Sequence, residues 1–209
     1  MKQQGKLRRR IALIAALVAL ATLGTVAAYS ASSDLLMRKV NAAVEPGVVT
    51  YATLYNIDTV SGADLLAAGN RAVNRGGKVL FNFDTLQDKK VVGRIVVNSL
   101  QASEAMERYN FKLDTGSEAV EAVAQQFEAL LGRKVAVIRC AHQDYGMPVI
   151  VCASIDMTDM DVNNLVAYTY DRKADSYEQL AAGSITADAG GMVCIKTAKA
   201  GYLIITQGD

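Results

Sequence analysis

The sequence predicts an α+β protein that is mainly antiparallel β and sandwich-like, with an N-terminal signal or anchor segment. Short runs of β-branched and aromatic residues recur along the chain, and turn residues separate them at short intervals, as in a sandwich or meander. Apolar residues follow helical spacing in one strong helix, at about 117–131, and in one shorter helix, at about 61–74. The length of 209 residues suits one ordinary domain or two small ones.

The first 33 residues carry a targeting pattern. Five basic residues lie in "MKQQGKLRRR", and no charge follows until after Ser33. A basic segment before an apolar run directs a chain to the export machinery. The apolar part, 11–28, exceeds the usual signal-peptide core of about 7–15 residues and approaches the roughly 20 of a membrane span, which favours a retained anchor. Its alanine-rich composition favours a cleaved signal peptide. Both interpretations predict that the rest of the chain is extracytoplasmic, either secreted or attached to the membrane through residues 11–28.

The charge distribution argues against nucleic acid as a partner. The chain has 22 basic and 21 acidic residues, and five of the basic residues but none of the acidic ones precede residue 34. The remainder therefore has an excess of four acidic residues and no basic stripe, which a nucleic-acid surface requires.

Residues 34–47 are predicted to be an amphipathic or linker segment that ends at Pro46-Gly47. Residues 48–116 form the N-terminal β-rich half. Its helix is capped by Ser61 and stopped by Gly76-Gly77. Strands are predicted at 48–54, 78–84, 93–100 and 108–114, with a hairpin loop at "TLQDKK".

Residues 117–209 are predicted to be a helix followed by a C-terminal β-rich half. Ser117 can cap the helix, Glu118 and Glu121 suit its positive N-terminal end, and Gly132 can end it. Strands are predicted at 134–140, 148–155, 165–170, 184–187, 192–197 and 202–206.

The three cysteines are Cys140, Cys152 and Cys194. An odd number in an exported chain leaves at least one without an intrachain partner. Each lies in an apolar, strand-like run, so the sequence favours buried small hydrophobic residues over a disulfide framework.

Several segments resemble known sequences. They are "VSGADLLAAGNRAVNRGGKVLFNFDTLQDKKVVGRIVVN", "FEALLGRKVAVIRCAHQDYGMPVIVCASIDM", "NNLVAYTYDRKADSYEQL" and "ITADAGGMVCIKTAKAGYLIITQGD". Together they resemble uncharacterised exported or cell-surface proteins of clostridia and related anaerobic Gram-positive bacteria, over roughly residues 58–209. The shared motifs are turn and core signatures. The resemblance therefore implies a strand-rich fold and a surface location in Firmicutes, and it carries no catalytic residues.

Tyr168, Tyr170 and Tyr177 surround the charged turn of "AYTYDRKADSY". Side chains alternate along a strand, so Tyr168 and Tyr170 share a face. The tyrosines are predicted to hold a hairpin together through cross-strand aromatic contacts. As an alternative, an exposed face of this kind would bind a glycan or another small ligand, because aromatic rings stack on the apolar faces of sugars.

Asp156, Asp159 and Asp161 lie in the polar stretch "DMTDMDVNN". Carboxylates in a loop are the oxygen ligands that calcium prefers. The glycine and terminal glutamate of an EF-hand are missing, so a solvated connection between strands is the favoured interpretation. No cofactor is predicted.

The sequence predicts no catalytic residues and therefore a non-enzymatic surface module with a binding or scaffolding role. Cys140 and His142 could act as a nucleophile and its base only with a third, orienting group, and no phosphate-loop, dinucleotide or nucleophile-elbow motif occurs. The partner would be a glycan or a protein at the cell surface. Two alternatives stay open: an enzyme that acts on cell-wall or glycan material, and an envelope sensor that needs a partner protein.

Overall fold

A computed structural model of the protein describes residues 34–188 and 190–208. The predicted signal or anchor segment, 1–33, lies outside the described residues. Along the described ranges, no helix combines the length and the apolar character that a membrane crossing needs.

The described chain contains three helices. Residues 34–43 belong to α1, and α2 (Gly62–Asn74) and α3 (Glu118–Leu131) follow, with a 3₁₀ turn at Ser99–Gln101. The strands are β1 (Val49–Tyr55), β2 (Thr59–Val60), β3 (Lys78–Gln87), β4 (Lys90–Asn98), β5 (Tyr109–Asn110), β6 (Leu113–Asp114), β7 (Val135–Cys140), β8 (Asp144–Ser154), β9 (Leu165–Asp171), β10 (Ser176–Gln179), β11 (Ile185–Ala187), β12 (Met192–Lys199) and β13 (Tyr202–Gln207).

These strands form two main sheets. One has six strands in the order β1-β3-β4-β8-β12-β11, and the other has five in the order β10-β9-β13-β7-β6. A short β2–β5 pair lies apart from both. The β1–β3 pair is parallel, with α2 in the connection, and the remaining pairs are antiparallel. The predicted α+β class, mainly antiparallel and sandwich-like, is confirmed.

The main core unites the inner faces of the two sheets. Phe81, Phe83 and Val151 of the six-stranded sheet belong to the same buried cluster as Ile138 and Leu203 of the five-stranded sheet. They share a face of each strand because side chains alternate with period two. A second cluster covers the other face of the five-stranded sheet, where α3 packs; its members are Val120, Val123, Phe127, Val135, Val137, Tyr170, Tyr202 and Ile204.

Both predicted helix caps are present. The Ser61 hydroxyl accepts a hydrogen bond from the Asp64 N–H at 3.0 Å, and the Ser117 hydroxyl accepts one from the Val120 N–H at 3.4 Å. These bonds satisfy N–H groups that the first helical turn leaves without a partner.

Residues 34–47, which the sequence suggested as an amphipathic or linker segment, contain a helix that belongs to the core. Leu36 and Val40 lie one helical turn apart on α1, and both are buried in the main core. On the polar side, the Asn41 side chain accepts hydrogen bonds from Arg71 of α2 and from Arg75, which directly follows α2. The segment therefore packs on the domain rather than connecting to it loosely.

The predicted single strand at 108–114 is divided between two partners. Tyr109 pairs with β2, whereas Leu113 pairs with Cys140 of β7 in the five-stranded sheet. Tyr109, Phe111 and Leu113 are all buried, and they share one face of the extended segment. The chain is extended here, but it crosses between partners, so no single ladder forms.

The interpretation of the cysteines is wrong for two of the three. Cys152 of β8 and Cys194 of β12 are directly opposed and form a disulfide, while Cys140 is free and buried. The two bonded residues are 42 positions apart, so only the adjacency of β8 and β12 brings them together. The expectation that at least one cysteine has no intrachain partner is confirmed by Cys140.

Candidate binding cleft

A cleft of about 580 Å³ opens at one edge of the sandwich, and we refer to it as the edge cleft. The five-stranded sheet contributes the β9–β10 hairpin, including Asp171, Tyr177 and Glu178. The six-stranded sheet contributes Asp144, at the start of β8, and Lys199, at the end of β12. Both sheets therefore line the site, and most of the residues that line it are polar.

The charged groups of the edge cleft are held by short-range contacts. The Lys199 ammonium lies 3.8 Å from a Glu178 carboxylate oxygen. The Asp144 carboxylate accepts a hydrogen bond from the Gly146 N–H at 2.8 Å. Hydrogen bonds from the N–H groups of Lys173 and Ala174 lower the pKa of Asp171, which keeps this group ionised at neutral pH.

The three candidate tyrosines lie on the face of the five-stranded sheet that α3 covers. The ring of Phe127 meets Tyr170 edge-on at 5.0 Å and Tyr177 edge-on at 5.5 Å, and Tyr168 contacts Tyr177 at 6.0 Å. Tyr170 and Tyr177 are directly opposed in the β9–β10 hairpin. These contacts are those of the structural interpretation, in which the tyrosines bind the hairpin to its neighbours.

The tyrosines differ in what they offer to a ligand. Tyr170 is 5% exposed, and its hydroxyl donates to the Asp175 carboxylate in the hairpin turn. Tyr177 is 51% exposed. Its ring lies on the α3 face, whereas the next residue, Glu178, lies on the opposite face and reaches Lys199 in the edge cleft. Of the three candidates, Tyr177 is therefore the one that presents a large aromatic surface to solvent.

The candidate calcium ligands are engaged in their own loop. Asp156 accepts hydrogen bonds from the N–H and hydroxyl groups of Thr158 and contacts the Lys134 ammonium at 3.2 Å. These bonds lower the pKa of Asp156 to about 2. Asp161 accepts from Asn163, and Asp159 occupies a left-handed turn with φ 68°. Among the described residues, no three carboxylate, histidine or cysteine groups lie close enough together to hold a metal ion.

Cys140 and His142 show no nucleophile–base arrangement. Burial raises the pKa of the Cys140 thiol to about 12, so the thiolate is scarce at neutral pH. The His142 ring contacts the rings of Tyr145 at 5.1 Å and Tyr109 at 5.8 Å. Burial also lowers the pKa of His142, which keeps the imidazole neutral.

The edge cleft was not predicted as a unit. The hairpin with Tyr177 was selected from its sequence, but Gln143, Asp144 and Lys199 lie in distant segments. The signal that could have found Lys199 is its opposition to Asp144 in the β8–β12 ladder, and that pairing follows a register shift after Thr197. Such an irregularity is not visible in an alternation pattern.

The chain matches no protein-family model. No curated protein matches it either.

Proposed function

We propose that the chain is an extracytoplasmic, non-enzymatic surface module of a Gram-positive envelope, and that it binds a polar ligand of the glycan class in the edge cleft. The observation that carries the proposal is the edge cleft itself, where polar groups of both sheets meet. Clefts with a few convergent polar groups are where proteins bind small ligands. A sugar ring suits this lining because its hydroxyl groups form hydrogen bonds with carboxylates and an ammonium group.

The Cys152–Cys194 disulfide supports the extracytoplasmic location. Disulfides persist in oxidising compartments and are rare in a reducing cytoplasm. This agrees with the targeting pattern of residues 1–33 and with the resemblance to exported clostridial proteins.

The location can be tested by counting thiols. The full chain and residues 34–209 without a leader are each denatured and treated with a maleimide polymer that adds mass at every free thiol. We expect one modified thiol in the full chain, from Cys140, and three in the leaderless chain kept in the cytoplasm. Three free thiols in the full chain would contradict export, whatever the edge cleft binds.

The edge cleft can be tested by cosedimentation with purified Gram-positive cell-wall sacculi. We expect Lys199→Ala to weaken binding about tenfold, which corresponds to the loss of one charge-assisted hydrogen bond of about 1.4 kcal/mol. Lys196→Ala on the same strand is the matched control, because Lys196 is also an exposed lysine and lies outside the edge cleft. Equal binding by the two variants would reject the edge cleft as the ligand site.

One observation favours the enzymatic alternative, namely that Asp144, Asp171 and Glu178 line the same cleft. Glycoside hydrolysis uses two carboxyl groups, one of which must donate a proton. The lowered pKa of Asp171 disfavours this carboxyl group as a proton donor, so we favour binding over hydrolysis. Release of reducing sugars from the sacculi by the wild-type chain, abolished in Glu178→Gln while binding persists, would support the enzyme instead.

A further inference from the structure

Within the part of the chain that the structure describes, strand β1 is an unprotected edge of the six-stranded sheet. Natural edge strands are usually short, charged, interrupted by proline or covered, because their free N–H and C=O groups invite another strand. In the described chain, β11 and β6 are three and two residues long, and β10 carries Glu178. In contrast, β1 has seven residues, "VTYATLY", with no charge, proline or glycine. Within the described ranges, its only ladder is the one with β3.

The backbone of β1 presents alternate residues to this free edge. The Val48 carbonyl accepts from the Lys78 N–H at 3.2 Å, and the Asn56 N–H donates to the Asp84 carbonyl at 2.8 Å, so even-numbered residues point toward β3. In a parallel ladder the intervening residues point away. The N–H and C=O groups of Val49, Tyr51, Thr53 and Tyr55 therefore face the free edge.

The side chains of the same residues lie on the uncovered outer face of the sheet. Tyr51 is 58% exposed and Tyr55 is 54% exposed, whereas Ala52 and Leu54 are buried on the inner face. An apolar, exposed outer face thus coincides with a row of free backbone groups.

We propose that β1 pairs antiparallel with β1 of a second copy of this chain, about a twofold axis that passes beside Ala52. This register places Val49 opposite Tyr55 and Tyr51 opposite Thr53. All of these are hydrogen-bonded pairs, so the free N–H and C=O groups are satisfied across the axis. Aromatic and β-branched residues are favourable cross-strand partners.

The composition of β1 favours a second copy over a different partner. A twofold contact brings each residue against its own strand, so the strand must be complementary to itself. No charged residue lies between Val49 and Tyr55, so like charges never oppose each other in this register. Ala52 meets its own copy in a non-hydrogen-bonded pair, in which opposing residues approach most closely, and its side chain is small.

The test is a cysteine cross-link in the full chain. Opposing residues of a non-hydrogen-bonded pair have Cα atoms about 4.5 Å apart, within the range that a disulfide spans. We expect Ala52→Cys in membranes or detergent to give a covalent dimer under mild oxidation. Val162→Cys, an exposed loop position away from β1, serves as the control and should stay monomeric. Equal cross-linking at both positions, or none at Ala52→Cys, would overturn the proposal.

A second variant guards against failure of the cysteine variant to fold. Tyr51→Lys places a charge on the free edge, and Tyr177→Lys is a matched change on β10 at similar exposure. We expect sedimentation of the full chain in detergent to show a dimer for the wild type and for Tyr177→Lys, and a monomer for Tyr51→Lys. A monomeric wild type, or a dimer that persists in Tyr51→Lys, would overturn the proposal. Neither the cross-link nor the sedimentation result depends on the edge cleft. A failure of the dimer proposal is therefore distinguishable from a failure of the proposed function.

Discussion

The Asp84 carboxylate lies on the outer face of the six-stranded sheet, and its side chain is 1% exposed. Arg94, on the neighbouring strand β4, donates two hydrogen bonds to it, at 2.6 and 2.7 Å. This bidentate contact raises the pKa of Arg94. It also compensates a charge that would otherwise be costly to remove from water.

We expect Arg94→Met to lower the free energy of unfolding by about 3 kcal/mol, because it leaves the buried Asp84 carboxylate without its partner. Urea denaturation measures the change. The double variant Arg94→Met with Asp84→Asn should recover part of the loss, since no buried charge then remains. A double variant as unstable as the sum of its single variants would show that the pair is not coupled.

His142 is the single histidine of the chain, so it can be followed by itself. Burial lowers its pKa in the folded state, and Asp144 opposes this shift. The unfolded chain therefore takes up the proton first. The contribution of His142 to the free energy of unfolding should be fully present above the unfolded-state pKa of about 6.5. It should decrease as the pH falls below that value and level off below the folded-state pKa.

We expect the urea midpoint of the wild type to decrease as the pH is lowered from 7.5 to 5.5. The His142→Gln variant should lack the part of this decrease that the histidine causes. Titration of the imidazole by NMR supplies the folded pKa directly. A folded pKa above 6.5, or an unchanged pH dependence in His142→Gln, would contradict the assignment.

At the scale of elements, α1 lies in a segment that the sequence suggested as a possible linker, and it packs as part of the core. Six of its ten residues are apolar, and Leu36 and Val40 fall on one face and reach the cluster that the sheets form. Helices this short gain most of their stability from such packing rather than from propensity.

We expect Leu36→Ala to reduce the free energy of unfolding by about 2–4 kcal/mol, because it removes a buried side chain and leaves a cavity. Arg38→Ala on the same helix is the control, since Arg38 is exposed and should change stability by less than about 0.5 kcal/mol. Thermal or urea unfolding of residues 34–209 measures both variants. If Leu36→Ala left the free energy of unfolding unchanged, the linker interpretation of this segment would be supported instead.

At the scale of the whole molecule, the disulfide links β8 and β12 near the middle of the six-stranded sheet. It closes a segment of 42 residues, which in the chain-entropy account corresponds to about 4 kcal/mol. Most of this stabilisation acts on the unfolded chain, whose freedom the cross-link restricts.

We therefore expect a reducing agent to lower the thermal midpoint of the wild type. The double variant Cys152→Ala with Cys194→Ala should have a low midpoint that the reducing agent does not change. Cys140→Ala should keep the full response, since Cys140 is free. A wild type that is insensitive to complete reduction would contradict a stabilising role for the cross-link.

Residues 34–209 should fold without residues 1–33. The described core draws on α1, both sheets and α3, and its buried clusters are formed among described residues. We expect the leaderless chain, expressed where disulfides form, to be soluble and to unfold in one cooperative step by calorimetry. Aggregation, or unfolding without a cooperative step, would show that the first segment belongs to the fold.

The sequence by itself determined what depends on neighbours along the chain. Ser61 and Ser117 act on N–H groups three residues away, and alternation along a strand decides which of its faces is buried. The helices at 61–74 and 117–131 and the strand-rich class followed from such local signals.

Tertiary structure alone decided what depends on which strands become neighbours. The alternation along the strand does not reveal that Tyr109 and Leu113 pair with different strands. Nothing in the sequence around Cys152 and Cys194 indicates that these residues face each other. The edge cleft has the same origin, since Asp144, Glu178 and Lys199 come from three separate segments. The physical reason is that strand pairing uses backbone groups that every residue possesses, so the order of strands in a sheet is chosen by the packing of the whole chain.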